Sequence, residues 1–309
     1  MSNPAALAIR KKVAWGPPVE LHGVIASVEP AARLRLRVGC EFRYEPSQAL
    51  AGVFVVRPGA HGDCAVVDER WTTVPALGWH DYRDVYGNVC RRVTLASGPF
   101  TLRYDAIVET TAEIDAADPN APRLSVTDVP DDALGYTLPS RFCLSDVLAP
   151  VAFEKFGDVT PGWACVQRIC DFVHDHLTFG YGSSSSTTTA LDAYVSGTGV
   201  CRDYAHLAIS FCRALNIPAR YAFGYLPDID VPPPDLPMDF CAWFEAYLGG
   251  RWWTFDPRNN ERRRGRVLLA RGRDALDVAM VTTYGDPSFK SMVVWADQIE
   301  PAARLSDEV

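Results

Sequence analysis

The feature that most limits the fold is a change of hydrophobic period along the chain. Before about residue 130 there are short runs that alternate every second residue and no helical pattern; beyond it apolar residues first recur at helical spacing. Leu34, Leu36, Val38 and Cys40 alternate with Arg33, Arg35 and Arg37, which is the signature of a strand with one buried face. Further strand-like runs lie at Gly52–Val56, Trp71–Val74, His80–Val85, Val89–Leu95 and Phe100–Glu109, and Tyr86-Gly87-Asn88 reads as a hairpin turn. This succession predicts a β-sandwich-like domain over residues 31–115. Residues 1–30 have little periodicity and read as a flexible lead-in, and 116–139, rich in Asp, Ala and Pro, as a linker.

The second half changes character. Pro161 suits the first turn of a helix in which Val166, Ile169, Val173 and Leu177 share a face. The hydroxyl run Ser183–Thr189 predicts a surface loop that ends by capping a helix at Ala190–Val195. Gly197-Thr198-Gly199 breaks the chain. A helix over Cys201–Leu215 follows, with Ala205, Ala208, Ile209 and Cys212 on one stripe, and Asn216 and Pro218 end it. Strands are then expected at Ala219–Tyr225, Phe240–Leu248 and Arg251–Asp256, with the proline-rich stretch Pro227–Pro237 between the first two. Helices followed by antiparallel strands make residues 140–309 an α+β core.

Composition narrows the function classes. With 309 residues, 48% hydrophobic and 22% charged, the chain has the make-up of a two-domain globular protein. It contains no apolar run of membrane-spanning length and no evident secretory signal, so a soluble, cytoplasmic protein without a membrane partner is expected. The net charge of −8, with basic residues scattered apart from Arg262, Arg263, Arg264 and Arg266, argues against a nucleic-acid partner. Nine cysteines without a Cys-x-x-Cys pair, and no calcium-loop spacing, predict free thiols and neither metal nor cofactor. Oligomeric state is open.

One of those cysteines stands out. Cys201 opens its helix directly after a glycine-containing loop, where unpaired backbone N–H groups and the helix dipole favour an anion. Such a position lowers a thiol pKa and suits a nucleophile, whereas the plainer reading is a small residue packing the helix start. The Gly249-Gly250 turn adds a register: Leu248 then opposes Arg251, Trp243 opposes Asp256, and Cys241, Trp243 and Asp256 share one face. A histidine at position 241 would reach Asp256 across that face; a cysteine is shorter.

The segments 199–207 around Cys201, Arg213–Tyr221, Met238–Tyr247 and Phe255-Asp256-Pro257 resemble the bacterial transglutaminase-like superfamily, including its cysteine-protease type with a β-rich N-terminal domain. The resemblance covers about residues 140–285 and implies a papain/transglutaminase-like core with helices packed on an antiparallel sheet. It also implies a Cys-His-Asp arrangement acting on amide bonds, by peptide or isopeptide hydrolysis or by acyl transfer to an amine through a Cys201 thioester. Cys201 and Asp256 match the family's positions, whereas Cys241 stands where its histidine is expected. The partner would be a peptide or protein substrate, possibly with an amine acceptor, and Trp243 and Asp203 are candidate substrate contacts. Two alternatives remain: a catalytically inactive relative that binds peptides or proteins, or a Cys201–Cys241 pair forming a disulfide or, with Asp256, holding a soft metal. His206, five residues after Cys201, is expected to face elsewhere, and His174 and His176 have no predicted place near the thiol.

Overall fold

The computed structural model describes residues 32–59, 64–159, 162–232, 236–300 and 305; the lead-in at 1–30 and Pro161 lie outside them. Strands β1 (Arg33–Tyr44), β2 (Leu50–Phe54), β3 (Ala65–Val74), β4 (Trp79–Arg83), β5 (Val89–Leu95) and β6 (Phe100–Thr111) come first. Helices α1 (Asp131–Leu134), α2 (Ala149–Phe156) and α3 (Gly162–His176) follow, then β7 (Thr178–Phe179), α4 (Ala190–Ser196), β8 (Thr198–Gly199) and α5 (Cys201–Ala214). The chain closes with β9 (Ala219–Tyr225), β10 (Cys241–Leu248), β11 (Arg251–Phe255), β12 (Val267–Gly272), β13 (Val281–Thr283) and β14 (Phe289–Gln298). Among the described residues no helix is long and apolar enough to cross a membrane.

The first strands build two antiparallel sheets, in the orders β14-β1-β6-β3 and β13-β2-β5-β4. The alternation in β1 has the expected result: Leu36, Val38, Cys40 and Phe42 are buried, and Phe42 meets Phe54 of the other sheet edge-on at 5.7 Å. On the opposite face Arg35 pairs with Glu109 at 3.0 Å and Arg37 with Asp105 at 2.6 Å across the β1–β6 ladder. The β4–β5 hairpin forms as expected, its turn held by Asp84, whose carboxylate accepts from the N–H groups of Tyr86 and Asn88.

The second region is an antiparallel sheet, β11-β10-β9-β12, with α5 packed against β9 and β10 and flanked by α2, α3 and α4. In α3 the expected face of Val166, Ile169 and Val173 is buried, as is Leu177 just beyond it. Thr189 caps α4 by accepting from the Asp192 N–H at 3.3 Å, as the hydroxyl run suggests. α5 departs from its expected single stripe. Every residue from Asp203 to Arg213 is buried, because sheet and helices enclose it on all sides.

Two boundaries differ from the expectation. Residues 281–298 do not belong to the second sheet: β14 adds to β1 along Leu36↔Gln298 to Tyr44↔Phe289, and β13 adds to β2. The expected linker is ordered as well, with Asp115 ion-paired to Arg266 and α1 following. The two regions also meet through a ring contact and a buried hydrogen bond. The Phe42 ring stacks on Phe240 at 6.4 Å, and the Tyr225 hydroxyl donates to the Val56 carbonyl at 2.9 Å.

One buried guanidinium ties the second region together. Arg213, 2% exposed, donates to the carbonyls of Leu138 (3.1 Å), Ala219 (3.0 and 2.8 Å) and Arg273 (2.6 Å) and to the Ser140 hydroxyl (3.1 Å). Removing it strands several buried acceptors at once. Arg213→Met is therefore expected to lower the free energy of unfolding by at least about 3 kcal/mol, measured by urea titration; a loss within about 1 kcal/mol would contradict this account.

Candidate active site

The start of α5 is fixed by its own sequence. The Asp203 carboxylate folds back to accept from the Val200 N–H at 2.9 Å, occupying one unpaired donor at the helix entrance. Gly199 makes room for it, since a Cβ there would lie 2.8 Å from the Asp203 Cβ. Asp203 is wholly buried and also 3.4 Å from the Arg202 guanidinium. It is thus a helix-entrance residue and lies outside the cavity wall, contrary to its expected role as a substrate contact.

Cys201 comes next, half-buried, with its thiol donating to the Phe240 carbonyl at 3.8 Å. Phe240 and Ala242 flank Cys241, so the α5 entrance abuts the start of β10, as the resemblance implies. Gly250 and Gly249 form the hairpin with Leu248 opposite Arg251, the expected register. Pairing stops at Phe244↔Phe255, and Asp256 lies one residue beyond the end of β11.

The two faces of β10 separate the motif residues. Ala242, Phe244 and Ala246 join the large core that contains α5. Cys241 and Trp243 instead form a small cluster with Ala222, Leu226 and Leu268. Gly224, paired with Cys241, allows this packing: a Cβ there would be 2.0 Å from the Val267 carbonyl and 3.0 Å from the Trp243 ring. Trp243 is 2% exposed and lines no part of the cavity, so it packs the sheet and does not form the substrate groove expected of it.

Asp256 is engaged elsewhere than at position 241. Its carboxylate takes an ion pair from Arg266 Nη2 at 2.9 Å and hydrogen bonds from the Asn259 N–H at 3.1 Å and side-chain amide at 2.8 Å. Arg266 is itself buried between Asp256 and Asp115, with its guanidinium 5.0 Å from the Trp243 ring centre. The aspartate therefore has a cation where the family resemblance implies an imidazole. This engagement also removes Asp256 from the metal-ligand set considered with the two cysteines, and all nine cysteines are free.

Cys201 and Cys241 line one cavity of about 840 Å³. Its walls include Phe179, Tyr181, Tyr221, Phe223 and Met238, the Ser184–Ser186 part of the hydroxyl run, and Ala275 with Val278, Ala279, Met280 and Val281 at the approach to β13. Pro232 also lines it; Pro233 and Pro234 of the same loop lie outside the described residues. Among the described lining residues there is no histidine. His206 is buried, stacks on Phe142 at 5.3 Å and accepts from the Ala275 N–H at 3.1 Å, which keeps its Nε2 unprotonated. His174 contacts the Arg258 carbonyl and His176 the Tyr194 carbonyl.

The thiol chemistry also differs from expectation. Burial pushes the Cys201 thiol up to about 11, with Asp239 and Asp256 acting in the same direction; the Ala242 N–H and Arg258 pull it down without cancelling the effect. Desolvation thus outweighs the helix entrance. Burial raises the Cys241 thiol well above its ordinary value, and Asp256 and Cys201 add to that. Both sulfurs are protonated at neutral pH. Sequence reasoning missed Asp239 and Arg258, which line the cavity; they adjoin the motifs at Cys241 and Asp256, but no spacing rule says their side chains reach it.

Comparison with known proteins follows the same outline. Residues 152–257 match the transglutaminase-like superfamily model. A solved structure named "Putative Cysteine Protease from Cytophaga hutchinsonii" superposes with a TM-score of 0.81 at 29% identity, over 89% of this chain and 93% of that one. An uncharacterized protein of Mycobacterium leprae is 28% identical over 80% of this chain and 91% of its own length. Another, from Mycobacterium tuberculosis, is 27% identical over 63% of this chain and 68% of its own.

Two outcomes follow from the geometry. Because the Cys201 thiol lies up at about 11, its alkylation by iodoacetamide is expected to be slower at pH 7 than that of a cysteine peptide and to rise about tenfold per pH unit up to pH 10. Faster labelling than the peptide at pH 7 would refute the buried-thiol account. Replacing Arg266 by Met leaves Asp115 and Asp256 buried without their cation, and a loss of about 3–5 kcal/mol in unfolding free energy is expected by urea titration. An unchanged midpoint would mean that the ion-pair cluster does not hold this end of the sheet.

Proposed function

Because this chain belongs to the transglutaminase-like superfamily, we propose that it uses the cleft beside Cys201 to bind a peptide segment, without appreciable amide-bond turnover. The observation that carries this reading is the engagement of Asp256 by Arg266 and Asn259, behind a cavity whose described lining residues include no histidine. A thiol up at about 11 leaves about one sulfur in ten thousand ionised at pH 7. Loss of a positioned general base removes a further factor of about 10²–10⁴. The cavity itself has the size and the largely apolar, partly polar lining of a ligand site.

A second reading is an amide-bond enzyme that forms a Cys201 thioester and passes the acyl group to water or an amine. It is favoured by the Ala242 N–H and Arg258, which both act to stabilise a Cys201 thiolate. Cys241 offers a thiol but no group able to accept and return a proton as imidazole does near neutral pH. Nine free cysteines suit a reducing compartment, and we place the chain in the cytoplasm on that ground; recovery of the native protein from the periplasm or medium would overturn that placement.

The natural protein, Cys201→Ala and Cys241→His are compared against a broad panel of peptide amides with and without amine acceptors. No Cys201-dependent turnover is expected from the natural protein, while bound peptides are expected to shield Cys201 from alkylation. Turnover that disappears in Cys201→Ala would instead establish the enzyme reading.

A further inference from the structure

The charged groups in the cavity divide into those already neutralised and two that are not. Arg263 lies 3.6 Å from Asp228 and 3.7 Å from Glu261, so that trio balances itself within the wall. Arg202 donates to the Ser184 hydroxyl at 2.7 Å and to the Ser185 carbonyl, and lies against Asp203. Arg258 is different: its guanidinium carbon stands 4.2 Å from the centre of the Phe179 ring, and no described carboxylate is within ion-pairing distance. Asp239 is the complement. Its only hydrogen bond among the described residues is from its neighbour, the Phe240 N–H, at 2.7 Å. Cation and carboxylate line the same cavity and both act on the Cys201 thiol, yet they form no ion pair with each other.

Resting on the peptide-binding reading of the cleft, we propose that it takes a short peptide with free termini, the carboxylate on Arg258 and the ammonium on Asp239, the backbone between them passing Cys201. A guanidinium stacked on an aromatic ring keeps its N–H edge free, and that edge matches a carboxylate bidentately. Burial pushes the Asp239 carboxyl up, against the Phe240 N–H and Arg258, which pull it down, and an arriving ammonium adds positive charge that favours its ionised form. The same cavity is lined by Tyr221, Phe223, Met238 and Phe240, which offer apolar surface for side chains. A cavity of about 840 Å³ falls in the range that encloses a small ligand and not a folded partner.

The test is calorimetric titration of the full chain with di-, tri- and tetrapeptides of alanine and leucine, each in free, N-acetylated and C-amidated form. At least one free peptide is expected to bind saturably, and each cap to weaken it about tenfold or more, the worth of a charge-assisted hydrogen bond. In Arg258→Gln the free and C-amidated forms are expected to bind alike while N-acetylation still weakens binding. Asp239→Asn is expected to give the mirror result. The capped forms on the natural protein test the idea without any variant having to fold. Capped peptides that bind as tightly as free ones and still shield Cys201 would overturn the terminal-charge assignment and leave the peptide cleft standing. No saturable binding and no shielding by any form, at millimolar peptide, would overturn both.

Discussion

The buried guanidinium of Arg266 holds the functional end of this molecule. It reaches back to Asp115, just past β6, and across to Asp256, just past β11, while its flat face lies near Trp243 in β10. A segment from the first half of the chain is thereby joined to the end of the β10–β11 hairpin at one buried charge cluster. Such a cluster is costly to assemble but more costly to break, because any member removed leaves an uncompensated charge in the interior. The ordered path of residues 112–130 and the end of the β10–β11 hairpin both depend on it.

The same interaction decides the chemistry. Asp256 sits where a triad aspartate is expected, yet its two oxygens answer a cation and an amide. Cys241, on the same face as Trp243, is buried in a small apolar cluster and carries a proton. Cys201 is at the wall of the neighbouring cavity, but desolvation there overrides the helix entrance. The scaffold thus presents a large cleft in which, among the described residues, Arg258 and Asp239 stand without an ion pair.

Much of the fold was legible in sequence because the local signals were strong. Alternation in Leu34 to Cys40 needs only a half-buried strand, the Thr189 hydroxyl needs only a helix to cap, and Gly249-Gly250 sets the register of its hairpin. β14 was not legible. Its partner β1 lies more than two hundred residues away in sequence, and Met292, Val294 and Ala296 make a weak alternation flanked by exposed Val293 and Lys290. The full burial of α5 was hidden for a similar reason, since a stripe on a helix records one neighbour and here there are several.

The sequence by itself determined the order of elements, the start of α5 at Cys201 after its glycine-containing loop, and the register that puts Cys241 and Asp256 on neighbouring strands of one hairpin, because each follows from contacts between near neighbours. Only the tertiary structure decided what those three residues can do. The Cys201 thiol is set by how much water the surrounding loops exclude, and the Asp256 carboxylate by an arginine ten residues on that also holds an aspartate from the first half of the chain. Charge and solvation are properties of everything within several ångströms in space, and no spacing along the chain records them.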